Sequence, residues 1–155
     1  MPAAPFSFTA TTMAYLTESD LTAKIPPQTL LEALDDNGDG VADDDLLDSI
    51  IASAAGEIDG QLSGRHAVPF TGDIPPLVKH ACLIFVLEML YERRGWTSEN
   101  GRNPWSGKAR DLRSQIKDVA MGTRPLFPAS DKGAKNTSYI GEDSKIAGDG
   151  NYLDA

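Results

Sequence analysis

The residues whose types and spacing most clearly indicate a binding site lie in the stretch 35–40, which reads Asp-Asp-Asn-Gly-Asp-Gly. Oxygen-bearing side chains at alternate positions, together with a glycine that permits a sharp turn, match the opening of a calcium-binding loop. In that register the predicted ligands are Asp35, Asn37, Asp39, the Val41 carbonyl and Asp43. Leu46 occupies the twelfth position, where calcium loops carry a bidentate acid, so only a contracted loop using Asp45 would complete the site. The same residue types also make a tight turn followed by a helix N-cap, and both interpretations stay open.

Candidate catalytic residues are few. The chain has two histidines and one cysteine, and no Ser or Cys motif places a nucleophile beside either histidine. His80, within an apolar run, is predicted to be a hydrogen-bonded core residue, His66 a structural loop residue and Cys82 a small core residue. We therefore expect no enzymatic activity and no cofactor other than the calcium of the first interpretation.

Apolar spacing predicts an all-α fold, a small bundle of two short and three longer helices. The short helices are predicted at residues 18–23, after a Thr17/Asp20 capping box, and at 28–34. The longer ones are predicted at 43–62, with Asp43, Asp44 and Asp45 in the first turn, at 75–94, and from Pro104 to a stop at Gly122. An ion pair between Asp59 and Arg65 is predicted to orient the loop that follows residue 64.

The two ends of the chain differ from this helical part in composition. We predict an N-terminal arm at residues 1–13, a helical domain at 14–123 and an extended tail at 124–155 that is rich in Gly, Ser, Asp and Lys. Such segments hold too few apolar residues to offset the entropy cost of ordering, so we expect neighbouring chains to hold them.

Charge is unevenly distributed along the chain. The net charge of −9 argues against a protein whose main task is binding nucleic-acid phosphates. Residues 25–64 contain ten acids and no Lys or Arg, whereas residues 92–124 contain eight bases and four acids. Either these are solvated helix faces, or the acidic flank of one copy meets the basic flank of the next in a ring. No apolar run approaches the length of a membrane span, and the first residues do not resemble a signal peptide.

Several stretches, taken in order and spacing, carry a family resemblance. They are MAYLTESDL at 13–21, DDNGDGVADDD at 35–45, IDGQLSGRHAVPF at 58–70, LYERR at 90–94 and the amphipathic stretch 112–122. Together they resemble the small head-tail connector proteins of Mu-like tailed bacteriophages, over about residues 13–126.

The resemblance implies a structural virion protein: an α-helical adaptor in a ring of twelve copies, which binds the portal protein and a tail-side stopper or terminator protein. Double-stranded DNA would pass through the ring channel without sequence-specific binding, and the acidic stretch would face that channel. The implied location is the virion neck, after assembly in the host cytoplasm, with no membrane contact. The alternative function is a calcium-binding interaction module built on residues 35–40.

Residues expected to contact neighbouring chains are aromatic, apolar or Arg side chains in the second half of the sequence. They are Arg93, Arg94, Trp96, Trp105, Arg124, Phe127, Tyr139, Ile140 and Tyr152. For Trp96 and Trp105 the sequence leaves two roles open, as covers of the core or as exposed interface anchors.

Overall fold

The computed structural model describes residues 15–127, and within them all regular secondary structure is helical. The five helices are α1 (Glu18–Thr22), α2 (Pro27–Leu34), α3 (Leu46–Leu62), α4 (Pro76–Arg94) and α5 (Ser106–Met121). The predicted all-α bundle of two short and three longer helices is confirmed.

The chain divides into two compact units, Met1–Arg124 and Pro125–Ala155, and the five helices belong to the first. The predicted arm at 1–13 and the tail beyond residue 127 lie outside the described residues. The domain boundaries at 13 and 123 therefore remain predictions.

The short helices begin where local sequence signals place them. Before α1, the Thr17 backbone N–H donates to Asp20 Oδ2 at 2.8 Å, which is the reach-back half of the predicted capping box. Helix α2 starts at Pro27, one residue earlier than predicted. Proline has no backbone N–H, but at the first position of a helix that N–H would have no partner within the helix, so nothing is lost. Helix α1 ends one residue early, at Thr22.

Helix α3 starts three residues later than the sequence predicts. Asp45 precedes it with a left-handed φ of 61°, and Asp43 is drawn back by a hydrogen bond from its N–H to the Leu34 carbonyl at 2.9 Å. The prediction that Asp43, Asp44 and Asp45 occupy the first helical turn is therefore wrong, and only Asp48 lies there. The competing bonds of the preceding loop hold these acids outside the helix.

Helix α4 is the centre of the bundle and packs against the other four helices. Residues 81–87 are buried on every side, as their continuous apolar run predicts, and Phe85 is the largest fully buried side chain. Gly95 ends the helix with a φ of 66°, a conformation that favours glycine at this position.

Helix α5 begins at Ser106 rather than at Pro104. Asn103 Oδ1 accepts the Trp105 N–H at 3.0 Å, and Asn103 Nδ2 donates to the Glu88 carbonyl of α4 at 2.9 Å. Residues 103–105 consequently form a turn anchored on α4. None of the described helices has the length and apolar character needed to cross a membrane.

Candidate functional site

The stretch 35–43, here called the acidic loop, is held together by its own side chains. The Asp35 carboxylate accepts the backbone N–H groups of Gly38 at 2.7 Å and Gly40 at 2.8 Å. Asn37 Oδ1 accepts the Asp39 N–H at 2.9 Å, and Asp39 Oδ1 accepts that of Val41 at the same distance. The loop is therefore a series of short turns in which side-chain oxygens replace the backbone partners that a helix or sheet would supply.

Asp43 closes this loop. Its Oδ2 accepts the Asp36 N–H at 3.0 Å and its Oδ1 accepts Asn37 Nδ2 at 3.2 Å. The structure thus brings the predicted calcium ligands into one loop, but it uses their oxygens as hydrogen-bond acceptors. Within residues 15–127 no group of three or more His, Cys, Asp or Glu side chains is arranged to hold a metal ion. The turn interpretation accounts for the geometry, and calcium occupancy remains a prediction.

Two arginines at the end of α4 fasten the acidic loop to the bundle. Arg93 Nη2 lies 2.7 Å from Asp36 Oδ2, and Arg94 Nη2 lies 3.0 Å from Asp36 Oδ1. Both guanidinium groups also donate to the Ala33 carbonyl at the end of α2. The hydrogen bond from Arg93, reinforced by the charges of both arginines, lowers the pKa of Asp36.

Some of the acidic and basic residues that are segregated along the sequence pair with each other within one molecule. Arg93 and Arg94 were expected to reach a neighbouring chain, but in this structure both bind the acidic loop of their own chain. Part of the acidic stretch and part of the basic stretch therefore neutralise each other inside one molecule. Asp36 and Arg93 are 57 positions apart in the chain, so no local sequence pattern indicates that they pair.

A second ion-pair network joins the three long helices. Arg113 of α5 places Nε 2.6 Å from Glu57 Oε1 of α3, and its Nη2 lies 2.7 Å from Glu88 Oε2 of α4. The guanidinium carbon is 4.6 Å from the centre of the Phe85 ring. Arg113 thus holds α3, α4 and α5 together through one side chain, a role the sequence analysis did not assign to it.

Tyr15 fastens the loop between α3 and α4 to the bundle. Its hydroxyl donates to Asp59 Oδ1 at 2.6 Å and accepts the Phe70 N–H at 2.9 Å. Burial, together with the bond to Asp59, raises the pKa of Tyr15 well above its ordinary value. His66 contributes to this loop as expected, with its ring centre 6.5 Å from that of Phe70.

The predicted Asp59–Arg65 ion pair is wrong. Asp59 is engaged by Tyr15, and no bridge to Arg65 is present among the described residues. The Arg65 side chain instead lies against Gly122, where an added Cβ would come within 2.6 Å of Arg65 Cζ. Gly122 has a φ of 82°, and this backbone conformation favours glycine, whereas the exposed end of the flexible Arg65 side chain can move away from an added Cβ.

The prediction for His80 is also wrong, whereas that for Cys82 is confirmed. His80 is exposed on the first half of α4, where the five-residue α1 leaves it uncovered. Partial desolvation, with the nearby charges of Lys24 and Lys108, lowers the pKa of His80. Cys82 is fully buried, and burial raises the pKa of its thiol to about 12.

Trp96 and Trp105 are both half-buried, so each covers the core with part of its ring and exposes the rest. The Tyr91 ring meets them edge-on, with centres 5.2 Å and 6.0 Å away respectively. Trp105 Nε1 is buried without a hydrogen-bond partner in the described structure, and Lys108 Nζ lies 5.6 Å from the ring. The two tryptophans therefore cover part of the core, and their role as interface anchors stays a prediction.

The other predicted contact residues are placed only in part. Arg124 is exposed, and Phe127 is 52% exposed. Tyr139, Ile140 and Tyr152 lie outside the described residues. The contact role of the whole set remains a prediction.

Two outer helix surfaces keep charges that the internal ion pairs do not neutralise. The outer basic face of α5 carries the exposed side chains of Arg110 and Lys117, which are seven residues apart and therefore lie on the same side of the helix. Among these, Arg110 has one long contact of 3.7 Å, to its neighbour Asp111, and both side chains are largely exposed.

The opposite charge lies at the start of α3. This outer acidic face comprises Asp44 and Asp45, which precede the helix, and Asp48 in its first turn. All three are exposed, and none forms an ion pair within the described chain. The next exposed positions along α3 are small residues, namely Ser49, Ala52, Ser53, Gly56 and Gly60. One molecule therefore presents an acidic surface at the start of α3 and a basic surface on α5.

A family model described as "Bacteriophage Mu, Gp36" matches residues 15–141, which is most of the chain and includes all five helices. No curated protein sequence matches the chain at a significant level.

Proposed function

The chain belongs to the Bacteriophage Mu Gp36 family, and from this premise we propose that it is a structural protein of the virion neck. It acts as a head-tail adaptor: copies of the chain form a ring, twelve in number, between the portal protein and a tail-side stopper or terminator protein. Double-stranded DNA passes through the channel of that ring without sequence-specific contacts. The chain performs no catalysis and needs no cofactor for this role.

The observation that carries this proposal is the pair of oppositely charged outer faces. A contact between different surfaces on successive copies repeats around an axis and closes into a ring when the rotation permits. The outer acidic face of α3 and the outer basic face of α5 are available for such a contact, because their charges are not consumed by the internal pairs of Arg93, Arg94 and Arg113. The small residues of α3 let the long α5 side chains approach closely.

The sharpest test is an exchange of charge between the two faces. We expect Asp44→Lys with Asp48→Lys to prevent ring formation on the portal, and Arg110→Glu with Lys117→Glu to do the same, because like charges then meet at every contact. All four substitutions in one chain restore opposite charges across each contact and should restore the ring. A matched control, Glu32→Lys with Asp73→Lys, changes the net charge equally at exposed positions elsewhere.

The readout is the mass of the particle formed with purified portal protein, measured by native mass spectrometry. Equal numbers of adaptor and portal subunits support the proposal. If the two double variants still assemble, these faces are not the contact, and the acids of α3 are then free to line the channel. If the wild-type chain does not bind portal at all, the adaptor role itself is wrong.

The same measurement separates the calcium alternative. An adaptor assembles equally with and without EDTA, since the acidic loop then has a structural role that needs no bound calcium. A chain that ignores the portal but changes its melting temperature when calcium is added is instead a calcium-binding interaction module.

A further inference from the structure

A shallow groove of about 360 Å³ lies between α1 and the first two turns of α4. Its walls are mostly carbon, from residues such as Leu16, Ala23, Pro76 and Leu83, and Asp20, Lys24, Lys79 and His80 also line it. Lys79 Nζ lies 3.4 Å from Asp20 Oδ1, so these two charges pair within the groove wall. This volume is near the lower end of the roughly 300–1,000 Å³ typical of ligand pockets, so it suits one or two side chains rather than a whole helix.

We propose that residues 1–14 of the same chain pack into this groove, with Phe6 and Phe8 as the anchoring side chains. The inference is independent of the proposed adaptor function, because it concerns how one molecule covers its own apolar surface. The described helices leave the groove open, and residues 1–14 would fill it.

The first argument is the position at which the described chain begins. Leu16 is part of the groove wall, so the described chain begins at the edge of the groove. Phe8 is eight positions before Leu16, and an extended chain of that length spans up to about 28 Å. The α4 wall from Pro76 to Leu83 is only about 10 Å long, so the arm can return along it. A short tether also gives the arm an effective concentration in the millimolar range, which no separate molecule matches in dilute solution.

The second argument is chemical. Residues 1–13 contain no charged side chain, and their large apolar residues are Phe6, Phe8 and the two methionines, Met1 and Met13. An uncharged aromatic segment loses little hydration energy on entering a carbon-lined groove, and the Lys24 ammonium group can lie over a ring face. The competing occupant is the end of a neighbouring copy's tail, where acids flank Tyr152 and Leu153.

Disulfide trapping in the full-length chain tests the contact. We expect Phe8→Cys combined with Ala23→Cys to form an intramolecular disulfide under mild oxidation, seen as a monomer on a non-reducing gel with the mass loss of two hydrogens. Native Cys82 can stay in place, because it is buried and its raised pKa keeps the thiol protonated. The matched control pairs Phe8→Cys with Ser53→Cys on the exposed face of α3, which should trap far less.

The outcomes are distinct. Only disulfide-linked dimers would place the arm on another copy, and equal trapping with Ser53→Cys would show contact without preference, so either result overturns the proposal. Failure of Phe8→Cys with Ala23→Cys to close also overturns it. None of these results depends on portal binding.

A second measurement avoids engineered thiols. Phe6→Ser with Phe8→Ser should uncover the groove, raise the fluorescence of an apolar dye several-fold and lower the melting temperature by roughly 3–6 °C. Ala3→Ser with Ala4→Ser is the control on the same arm and should change neither value. If Tyr152→Ser with Leu153→Ser produces these effects and the phenylalanine variant does not, the tail is the occupant and the proposal fails.

Discussion

Replacing Arg113 with methionine tests whether the ion-pair network between the long helices stabilises the bundle. Methionine keeps an unbranched apolar stem against Phe85 but removes the guanidinium that binds Glu57 and Glu88. The two acids differ in exposure, since the Glu57 side chain is 31% exposed whereas that of Glu88 is only 13% exposed.

The expected loss follows from those exposures. The bond to Glu57 resembles a surface pair and contributes about 0.5 kcal/mol after solvent screening. The bond to the more buried Glu88 contributes about 1 kcal/mol, and leaving that carboxylate without its charged partner is the main reason for the cost. The contact with the Phe85 ring adds about 0.5 kcal/mol. Arg113→Met should therefore lower the free energy of unfolding by about 2 kcal/mol, which corresponds to a fall in melting temperature of about 8 °C.

Urea unfolding followed by circular dichroism measures this change. The control is Arg110→Met on the same helix, whose side chain is 83% exposed and whose loss should cost less than about 0.5 kcal/mol. Adding Glu57→Gln and Glu88→Gln to Arg113→Met should recover about half of the loss, because no unpaired carboxylate then remains. A stability of Arg113→Met equal to that of the control, or no recovery in the triple variant, would refute the argument.

Three further predictions concern the loops. Tyr15→Phe removes the hydroxyl between Asp59 and the Phe70 N–H and should cost about 1.5 kcal/mol in urea unfolding, with faster proteolysis at residues 64–75; an unchanged digestion rate would contradict this. Arg93 lowers the pKa of Asp36, so the ionised carboxylate stabilises the fold above an ordinary carboxyl pKa of about 3.9, and this stability is lost as the pH falls through the lowered value. Asp36→Asn should flatten the melting temperature between about pH 5 and 2, and an identical profile would exclude the contact. Asp35→Ala should cost about 1–2 kcal/mol without calcium, because its carboxylate holds several backbone N–H groups; a loss seen only with calcium present would favour the metal interpretation.

The sequence by itself determined the features that depend on neighbouring residues. Pro76 opens α4, and Gly95 and Gly122 end their helices with positive φ, because each residue type has a backbone preference that acts within one turn. The apolar period of α3 and the continuous apolar run of α4 likewise indicated a bundle with α4 at its centre. The order and spacing of several such stretches were enough to indicate the phage family.

Tertiary structure alone decided which charges meet. Asp36 and Arg93 are 57 positions apart, and Tyr15 and Asp59 are 44 apart, so local spacing carried no information about either pair. The hydrogen bonds of Asp43 to Leu34, Asp36 and Asn37 kept it out of the first turn of α3. The bond from Tyr15 removed Asp59 from the pairing expected for it.

The exposure of His80 likewise could not be predicted from the sequence. An apolar helix predicts a buried histidine only if a neighbouring element covers that part of the helix, and α1 has just five residues with which to do so. Burial is a property of two surfaces that come together, whereas a sequence pattern describes only one of them. For this reason the helices and their caps were predictable, and the groove, the ion-pair networks and the outer charged faces required the folded chain.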